Sequence, residues 1–383
     1  MKTSTLDTLK NFRQTLHQHP ELSNQEKQTA EQLVRWLQDF SPSEIITDIG
    51  GNGLIALWEG PQEGPTICLR AELDALPIEE ENTFSYRSQV PNVSHKCGHD
   101  GHMTILLGVA QALHQNPPER GKVLLLFQTA EETGEGAQRM LLDDVFKKLP
   151  IDQVFALHNL PGYAKHTIVC RADTFAAASI GMTTTFEGAT AHAGEPENGR
   201  SPALALAESI TLLQTLPQQL ITESFALVTV VQALLGEVSF GVAPGYAEVR
   251  ATLRSYLDED LDLLLQTAKE QIQAIADRYQ LACKITYTEH FTSTNNHVDS
   301  VRLIKQIAKL NGLAYEEKAT PFRWSEDFGQ FTQRYQGAMF GLGAGIGTPQ
   351  LHNADYDFPD DLLASGVAMF DGLIRHLLDK DFT

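Results

Sequence analysis

Hydrophobic residues in the first part of the chain switch between helical and strand spacing. The apolar positions between Leu6 and Leu16 recur at helical spacing. A second helix is predicted to begin near Ser23, because Ser23-x-x-Glu26 is a capping-box pattern and apolar positions continue to Phe40. Strands are predicted over 54–58, 66–71, 122–128 and 153–157, and helices over 103–113 and 137–149. This alternation predicts an α/β domain with a mostly parallel sheet flanked by helices.

The pattern changes near residue 179. The sequence then predicts strands over 179–186, 226–234, 246–256 and 282–288, with helices over 202–216 and 258–279. This βαββαβ order is typical of a ferredoxin-like α+β domain. We therefore divide the chain into a larger α/β domain, 1–178 and 289–383, and an inserted α+β domain, 179–288. The last part is predicted to contain helices over 300–311, 326–334 and 360–378, and a strand over 338–342 that leads into a glycine-rich loop.

Composition and charge exclude several classes of partner. The 383 residues include 29 Lys+Arg against 49 Asp+Glu, so the formal net charge is −20. This charge argues against nucleic acid and anionic membrane partners. The apolar runs are too short to span a membrane, and the N-terminal residues lack the apolar segment of a signal peptide. The four cysteines have no framework spacing, so we expect reduced thiols and a cytoplasmic location.

Residues 95–102, with the sequence HKCGHDGH, concentrate the groups that bind zinc-like metals. Cys97 and His99 are two residues apart, so in an extended turn both side chains point to one side and can reach one metal. His102 is either a further ligand or a packed neighbour, and we favour the packed neighbour. We expect His95 to be structural and Lys96 to be a solvated side chain.

Polar residues are also predicted at the carboxyl ends of the buried strands, where open α/β sheets bind ligands. Asp74, Glu131, Glu132 and His158 each lie at or just after the end of such a strand. Adjacent buried carboxylates repel each other unless a cation or a shared proton stabilises them. One of Glu131 and Glu132 can therefore bind metal while the other faces the attacking water as a general base. The alternative is a solvated acidic turn, but the position after a buried strand favours function.

Two further features are ambiguous when each is taken alone. His158 and His352 are isolated histidines, which are more often structural than metal ligands. The run from Gly341 to Gly347 lacks the G-x-G-x-x-G spacing, and no long helix follows it at once. We therefore reject a dinucleotide-binding loop there.

Seven motifs together resemble those of the metal-dependent N-acyl-amino-acid amidohydrolases. This family belongs to the aminoacylase and carboxypeptidase superfamily, and the resemblance is to the branch with hippurate hydrolases and auxin-conjugate hydrolases. The motifs occur in family order and cover nearly the whole chain. They are RAELDALP (70–77), HKCGHDGH (95–102), FQTAEE (127–132), LHNLP (157–161), GATAHA (188–193), SEDF (325–328) and LHN (351–353).

The resemblance implies a catalytic α/β domain that binds two divalent metal ions per subunit, which could be Zn, Mn, Co or Ni. One residue, Cys97, would bridge the two ions. The implied ligands are Cys97, His99, Glu132, His158 and His352. The implied reaction is hydrolysis of a small N-acyl amino acid to a carboxylic acid and a free amino acid.

The resemblance also implies roles for residues that do not bind metal. Glu131 would be the general base, and Asp74 would orient a ligand or the base. Arg254 would pair with a substrate carboxylate. His192, on the inserted domain, would reach an active site across a homodimer formed by that domain. Two supporting neighbours of the ligands would be His102 and Asp100.

The most serious departure from the family pattern is at the substrate end of the pocket, and three alternatives to this interpretation stay open. Gly241 stands where the family commonly has asparagine at the substrate end of the pocket, so the acyl group and the amino acid are not defined. The first alternative is a dipeptidase or carboxypeptidase with the same two-metal chemistry. The others are a metal-binding protein without turnover and a non-metal α/β protein with structural histidines. The presence of both Glu131 and Glu132 argues against a metal-binding scaffold, which needs only the ligand.

Overall fold

The computed structural model describes residues 3–220 and 222–379, which form two compact units. The first unit consists of Met1–Phe175, Thr294–Thr320 and Asp327–Thr383, and the second of Ala176–Ser293 and Pro321–Glu326. The segment Pro321–Glu326 thus groups with the second unit, whereas the sequence-based division assigned it to the larger domain. The sequence-based bounds of the domains remain a prediction.

The helices and strands have the following bounds. The helices are α1 (Thr3–Gln18), α2 (Lys27–Gln38), α3 (His99–Gln115), α4 (Gly136–Leu142), α5 (Ala203–Gln219), α6 (Asp258–Arg278), α7 (Val298–Leu310), α8 (Gly329–Thr332) and α9 (Leu362–Leu378). The strands are β1 (Glu44–Ile49), β2 (Gly53–Glu59), β3 (Thr66–Glu72), β4 (Lys122–Gln128), β5 (Gln153–Pro161), β6 (Ile168–Cys170), β7 (Asp173–Ala176), β8 (Ala178–Glu187), β9 (Ala191–His192), β10 (Ala226–Leu235), β11 (Val242–Ala243), β12 (Tyr246–Ser255), β13 (Ala282–Phe291), β14 (Thr294–Asn296), β15 (Tyr315–Glu317) and β16 (Gln336–Gly345).

The first unit is built on one mixed sheet with the strand order β1-β2-β4-β3-β5-β16-β6-β15. The central strands β4, β3, β5 and β16 are mutually parallel. Strand β2 pairs antiparallel with both β1 and β4, and β6 pairs antiparallel with β16 but parallel with β15. Every residue of β3 is buried, as expected for a parallel strand covered on both faces. Helix α3 packs on β3 and against α1 and α9. This architecture confirms the predicted fold class.

The second unit contains a four-stranded antiparallel sheet with the order β10-β12-β8-β13. Helices α5 and α6 pack on this sheet, and their apolar residues share one core with its strands. The chain order β8-α5-β10-β12-α6-β13 confirms the βαββαβ prediction. A short ribbon of β9 and β11 lies outside the main sheet.

Tertiary contacts override two of the local patterns. Helix α2 begins at Lys27, so the predicted capping box at Ser23 is wrong. The hydroxyl of Ser23 donates instead to Asp74 Oδ2 at 2.7 Å, and Glu26 Oε1 accepts the N–H of Ala130 at 2.8 Å. Both side chains of the pattern thus bind distant segments of the first unit rather than the start of a helix.

The glycine-rich segment is a strand and not the predicted loop, because β16 extends to Gly345. A Cβ atom on Gly343 would lie 2.1 Å from the carbonyl oxygen of Ala164, so glycine allows the strand to pass close to its neighbour. Two predicted helices are shorter in the structure. The helix predicted over 137–149 ends at Leu142, and the one predicted over 326–334 is only the four-residue α8. Strand β1 was not predicted. No helix in the described ranges has the length and apolar character needed to cross a membrane.

Candidate metal centre

The turn that carries Cys97 and His99 is tighter than the sequence predicted. Gly98 adopts a left-handed backbone with φ 94°, and α3 begins at His99 rather than near residue 103. A Cβ atom on Gly98 would lie 2.4 Å from Asn159 Oδ1, so this position requires glycine for both conformation and space. Cys97 and His99 are buried on either side of this glycine.

Potential metal ligands form two groups that share one thiol. The ligand atoms of Cys97, His99 and His158, which we call the His158 group, lie within 4.8 Å of one another. The same limit holds for Cys97, Glu132 and His352, which we call the His352 group. The structure therefore brings together all five residues predicted as ligands. Because Cys97 Sγ belongs to both groups, it has the position expected of a bridging ligand.

The two adjacent glutamates lie on a turn that a distant carboxylate holds in place. Ala130, directly before them, has a left-handed φ of 49°, and its N–H donates to Glu26 Oε1. Glu131 is only 5% exposed, which excludes the solvated acidic turn considered above. His99 Nε2 lies 3.8 Å from Glu131 Oε2 and 3.9 Å from Glu132 Oε1.

Hydrogen bonds orient the imidazoles toward the shared thiol. His99 Nδ1 donates to the carbonyl oxygen of Asp74 at 2.8 Å, and His158 Nδ1 donates to that of Asn159 at 2.9 Å. With Nδ1 of each ring bound in this way, His158 Nε2 lies 3.4 Å from Cys97 Sγ. His158 is within β5, which continues to Pro161, and not at the end of the strand as predicted.

The carboxylate of Asp74 lies beside residues of both ligand groups. It is fully buried, and its Oδ2 accepts the backbone N–H of Glu132 at 3.0 Å. Its Oδ1 lies 3.5 Å from His99 Nδ1. Asp74 thus contacts one residue from each ligand group.

Electrostatics in this cluster favour a cation. Burial by itself lowers the pKa of His99, but the hydrogen bond with Asp74 and the charges of Glu72 and Glu132 raise it to about 10. Burial and the neighbouring His102 lower the pKa of His158 to about 3. The metal-free cluster therefore stabilises positive charge at His99, among the carboxylates.

The residues fit a metal centre. His99 Nε2 is buried and has no hydrogen-bond partner among the described residues, which is the state expected of a nitrogen reserved for a metal. Thiolate, imidazole and carboxylate ligands together suit zinc and the neighbouring transition metals.

His102 has partners at both ring nitrogens, which favours a supporting role over metal binding. Its Nδ1 donates to Glu72 Oε2 at 2.7 Å, and its Nε2 lies 2.5 Å from Asn159 Oδ1. Glu72 is in turn bound by the guanidinium of Arg70. Sequence reasoning missed the support by Glu72 and Asn159, since both stand in motifs whose other residues had clearer chemistry.

Lys96 is not the solvated side chain that was predicted. It is fully buried, and its Nζ donates to Glu80 Oε1 at 2.6 Å and to the carbonyl oxygen of Tyr356 at 2.8 Å. The prediction failed because these partners come from segments distant in sequence. In the sequence, the one indication that Lys96 is buried was its position between His95 and Cys97 in the predicted metal-binding motif.

Asp100 connects the 95–102 motif to α1 through two buried side chains. Its Oδ2 accepts a hydrogen bond from His17 Nδ1 at 2.7 Å, and Arg13 Nη1 lies 3.4 Å from the same oxygen. His17 Nε2 is 3.0 Å from Glu80 Oε1. His17 thus bridges two buried carboxylates.

The remaining predicted residues belong to the second unit. His192 is exposed on β9, and its Nδ1 accepts the N–H of Gly194 at 3.1 Å, so in the neutral ring Nε2 carries the proton. Arg254 Nη1 donates to Ser325 Oγ at 2.9 Å and to the carbonyl oxygen of Arg323 at 3.2 Å. Its hydrogen bonds in the described part of the chain go to neutral oxygens, which leaves its charge available to an anionic ligand. A Cβ atom on Gly241 would meet nothing within 4 Å.

Comparisons with known proteins identify similar sequences and structures. A family model described as Peptidase family M20/M25/M40 matches residues 68–376. The chain is 28% identical over 362 residues to N-acetylcysteine deacetylase of Bacillus subtilis (strain 168), with 94% of each chain covered. It is 28% identical over 361 residues to N-acetyldiaminopimelate deacetylase of Bacillus velezensis, with 94% of this chain and 96% of that one covered. The crystal structure of the Bacillus subtilis YXEP protein, a dinuclear metal binding peptidase from the M20 family, matches with a TM-score of 0.83 and 26% identity, covering 99% of this chain and 100% of that chain.

The contacts of His17 predict a specific pH dependence of stability. Burial lowers the pKa of His17, but hydrogen bonds to Asp100 and Glu80 contribute to raising it from 6.5 to about 9. The stabilisation is therefore complete below pH 6.5 and is lost as the pH rises through about 9. Replacement His17→Gln should lower the free energy of unfolding by up to roughly 3 kcal/mol at pH 6 and by much less at pH 10.

Thermal unfolding of the metal-free protein at several pH values measures this difference. The control is His19→Gln, which replaces an exposed histidine directly after α1 and should have little effect at any pH. An effect of His17→Gln that is equal at pH 6 and pH 10 would contradict the assignment of charge to His17.

Proposed function

The chain belongs to peptidase family M20/M25/M40 and is a hydrolase of amide bonds, and we propose that its substrates are small N-acyl amino acids. The products are a carboxylic acid and a free amino acid. The observation that carries the proposal is the convergence of two ligand groups on Cys97, with the buried carboxylate of Glu131 beside them. Two relatives, named N-acetylcysteine deacetylase and N-acetyldiaminopimelate deacetylase, support the substrate class.

The enzyme uses divalent metal ions, and we propose that each subunit binds two, chosen from Zn, Mn, Co and Ni. The His158 group would hold one ion and the His352 group the other, with Cys97 shared between them. When bound, such ions lower the pKa of a water molecule and polarise the amide carbonyl. The proximity of thiol, imidazole and carboxylate atoms supports this assignment.

The protein side chains would then move protons and hold the substrate. Glu131 accepts a proton from water as the water oxygen bonds to the carbonyl carbon, and it delivers that proton to the leaving nitrogen as the C–N bond breaks. The Nε2–H of His192 donates to the carbonyl oxygen as negative charge develops there. The guanidinium of Arg254 binds the carboxylate of the amino-acid half.

A homodimer through the second unit is also part of the proposal. Strand β10 is at the edge of its sheet, and it exposes Val231, Leu234 and Leu235. An exposed apolar edge strand is a liability unless another chain or segment covers it. A second copy of the chain could cover this edge and bring His192 to the partner's site. The four cysteines form no disulfide in the described residues, and Cys68, Cys97 and Cys170 are buried, which supports a reducing, cytoplasmic location.

A hydrolysis screen tests the substrate class. N-acetyl, N-benzoyl and indole-acyl amino acids are compared with dipeptides, using metal-free protein reconstituted separately with each of the four metals. We expect release of free amino acid from the acyl compounds at a higher kcat/KM than from dipeptides. Preference for dipeptides would favour the dipeptidase alternative. Absence of turnover on both classes would favour a metal-binding protein without catalysis.

The roles of the adjacent glutamates predict opposite defects. Replacement Glu131→Gln should reduce the hydrolysis rate by about 10²–10⁴-fold, because it removes the group that transfers the proton. Its metal content, measured by elemental mass spectrometry, should stay near normal. The matched variant Glu132→Gln should lose metal. If Glu131→Gln loses metal and Glu132→Gln retains it, the two roles are exchanged.

The proposed role of His192 predicts complementation between subunits. Single replacements His192→Ala and Glu131→Gln should each be nearly inactive and should each retain metal. Mixed dimers of the two variants should recover activity, because one of the two sites then combines an intact Glu131 with an intact His192 from the other subunit. Each variant mixed with itself is the control. Mixed dimers that stay inactive would exclude the cross-subunit role.

A further inference from the structure

Lys96 contacts both ends of the short segment that carries His352. The N–H of His352 donates to the carbonyl oxygen of Lys96 at 2.8 Å. The Nζ of Lys96 donates to the carbonyl oxygen of Tyr356 at 2.8 Å, across 260 positions of sequence. One residue of the 95–102 motif therefore holds the segment 352–356 through its main chain and its side chain.

The position of His352 depends on its main chain more than on packing. Its side chain is 52% exposed, so few neighbours restrict it. Its φ is 65°, in the left-handed region that residues other than glycine rarely adopt. Its Nε2 nevertheless lies 3.7 Å from Glu132 Oε2, within the His352 group. Hydrogen bonds at its own N–H and at the Tyr356 carbonyl four residues later can keep such a conformation in place.

Burial of the Lys96 ammonium costs free energy, and its hydrogen bonds to Glu80 and Tyr356 offset that cost. A fully buried charge is tolerated only when it is paired and hydrogen-bonded. Glu80 pairs with Lys96, and the carboxylate of Glu80 also accepts the N–H of Ser88 at 2.5 Å and contacts His17. Glu80 thus anchors the ammonium, whose other hydrogen bond reaches the Tyr356 carbonyl. An apolar side chain of similar length could fill the space but could not bind that oxygen.

The same segment also contacts the surroundings of the His158 group. The hydroxyl of Tyr356 accepts a hydrogen bond from Asn159 Nδ2 at 2.6 Å. Asn159 follows His158 directly and lies against Gly98, which separates Cys97 from His99. However, Asn159 has His102 as a second partner, so the His158 group is supported without Lys96.

We propose that Lys96 is a positioning residue for the His352 group, which it sets by clamping the segment 352–356 against the Cys97 turn. The inference rests on the proposed function only in taking His352 as a metal ligand. The clamp itself is a property of the metal-free chain. Lys96 acts on main-chain atoms of the segment, the N–H of His352 and the carbonyl oxygen of Tyr356, and not on the ligand atoms of either group.

Metal binding provides the first test. Co²⁺ is titrated into metal-free Lys96→Met and followed by absorption, which reports thiolate coordination. We expect one Co²⁺ to bind as in the unmodified protein, and the affinity for the second to fall by about 10–100-fold, as is typical when a residue supporting a ligand is removed. Lys165→Met, which removes an exposed lysine paired with Asp361 at 2.8 Å in the same unit, is the matched control and should bind both ions normally.

Two results of the titration would overturn the proposal. Normal binding of both ions by Lys96→Met would show that the clamp is not needed. Parallel loss of both ions would show that Lys96 supports the whole turn rather than the His352 group. Should Lys96→Met fail to fold, the double variant Lys96→Met/Glu80→Gln is used, because it leaves no uncompensated carboxylate at Glu80.

Hydrogen–deuterium exchange of the metal-free proteins provides the second test. Peptides that contain residues 352–356 should exchange faster in Lys96→Met than in the unmodified protein or in Lys165→Met. Unchanged exchange in this segment would overturn the clamp. Failure of the proposed hydrolysis would not alter this result, because the measurement requires neither metal nor substrate.

Discussion

The concentration of buried negative charge around Cys97 is the constraint on which the first unit depends. Carboxylates from different segments meet there, and ionised buried carboxylates are unstable without positive partners. The chain supplies nitrogen-bearing partners to the deepest two: Arg70 and His102 contact Glu72, and the imidazole of His99 lies against Asp74. The other two carboxylates, of Glu131 and Glu132, lie 3.8 and 3.9 Å from His99 Nε2. The site is therefore built to be completed by cations, and its chemistry follows from that requirement.

Backbone strain accompanies the same constraint. Left-handed conformations occur at Gly98, at Ala130 directly before the glutamates, and at His352. For the residues other than glycine, such conformations cost on the order of 1–3 kcal/mol each and persist only where surrounding contacts hold them. Here the contacts come from Glu26 at Ala130 and from Lys96 at His352. The carboxylate of Glu26 and the backbone carbonyl of Lys96 thus help to determine where these two turns lie.

Local patterns in the sequence were sufficient for the elements and for much of the site. Continuous apolar runs identified the buried parallel strands, and their carboxyl ends located Asp74, Glu131 and Glu132 without any structure. His158 and His352 required the family resemblance, because an isolated histidine carries no information about its neighbours.

The failures have a common physical cause. The Ser23 capping pattern was overridden by Asp74, and the solvation expected of Lys96 was overridden by Glu80 and Tyr356. In both cases a partner distant along the chain offered a buried hydrogen bond stronger than the local alternative. Periodicity reports which face of an element is buried, but it does not report which polar groups meet inside. The glycines of β16 were misassigned for a related reason, because the close approach to Ala164 that they allow is a tertiary contact.

The two ligand groups differ in how the fold holds them, and this difference explains why only one needs a clamp. His99 and His158 are buried on α3 and β5, and the main-chain carbonyl oxygens of Asp74 and Asn159 hold their imidazoles directly. His352 is on a half-exposed segment outside any helix or strand. A ligand on such a segment loses conformational freedom when metal binds, and that loss reduces affinity unless the segment is already ordered. Ordering by Lys96 in the metal-free chain supplies that preorganisation, and it does so from within the motif that also provides the shared thiol of Cys97.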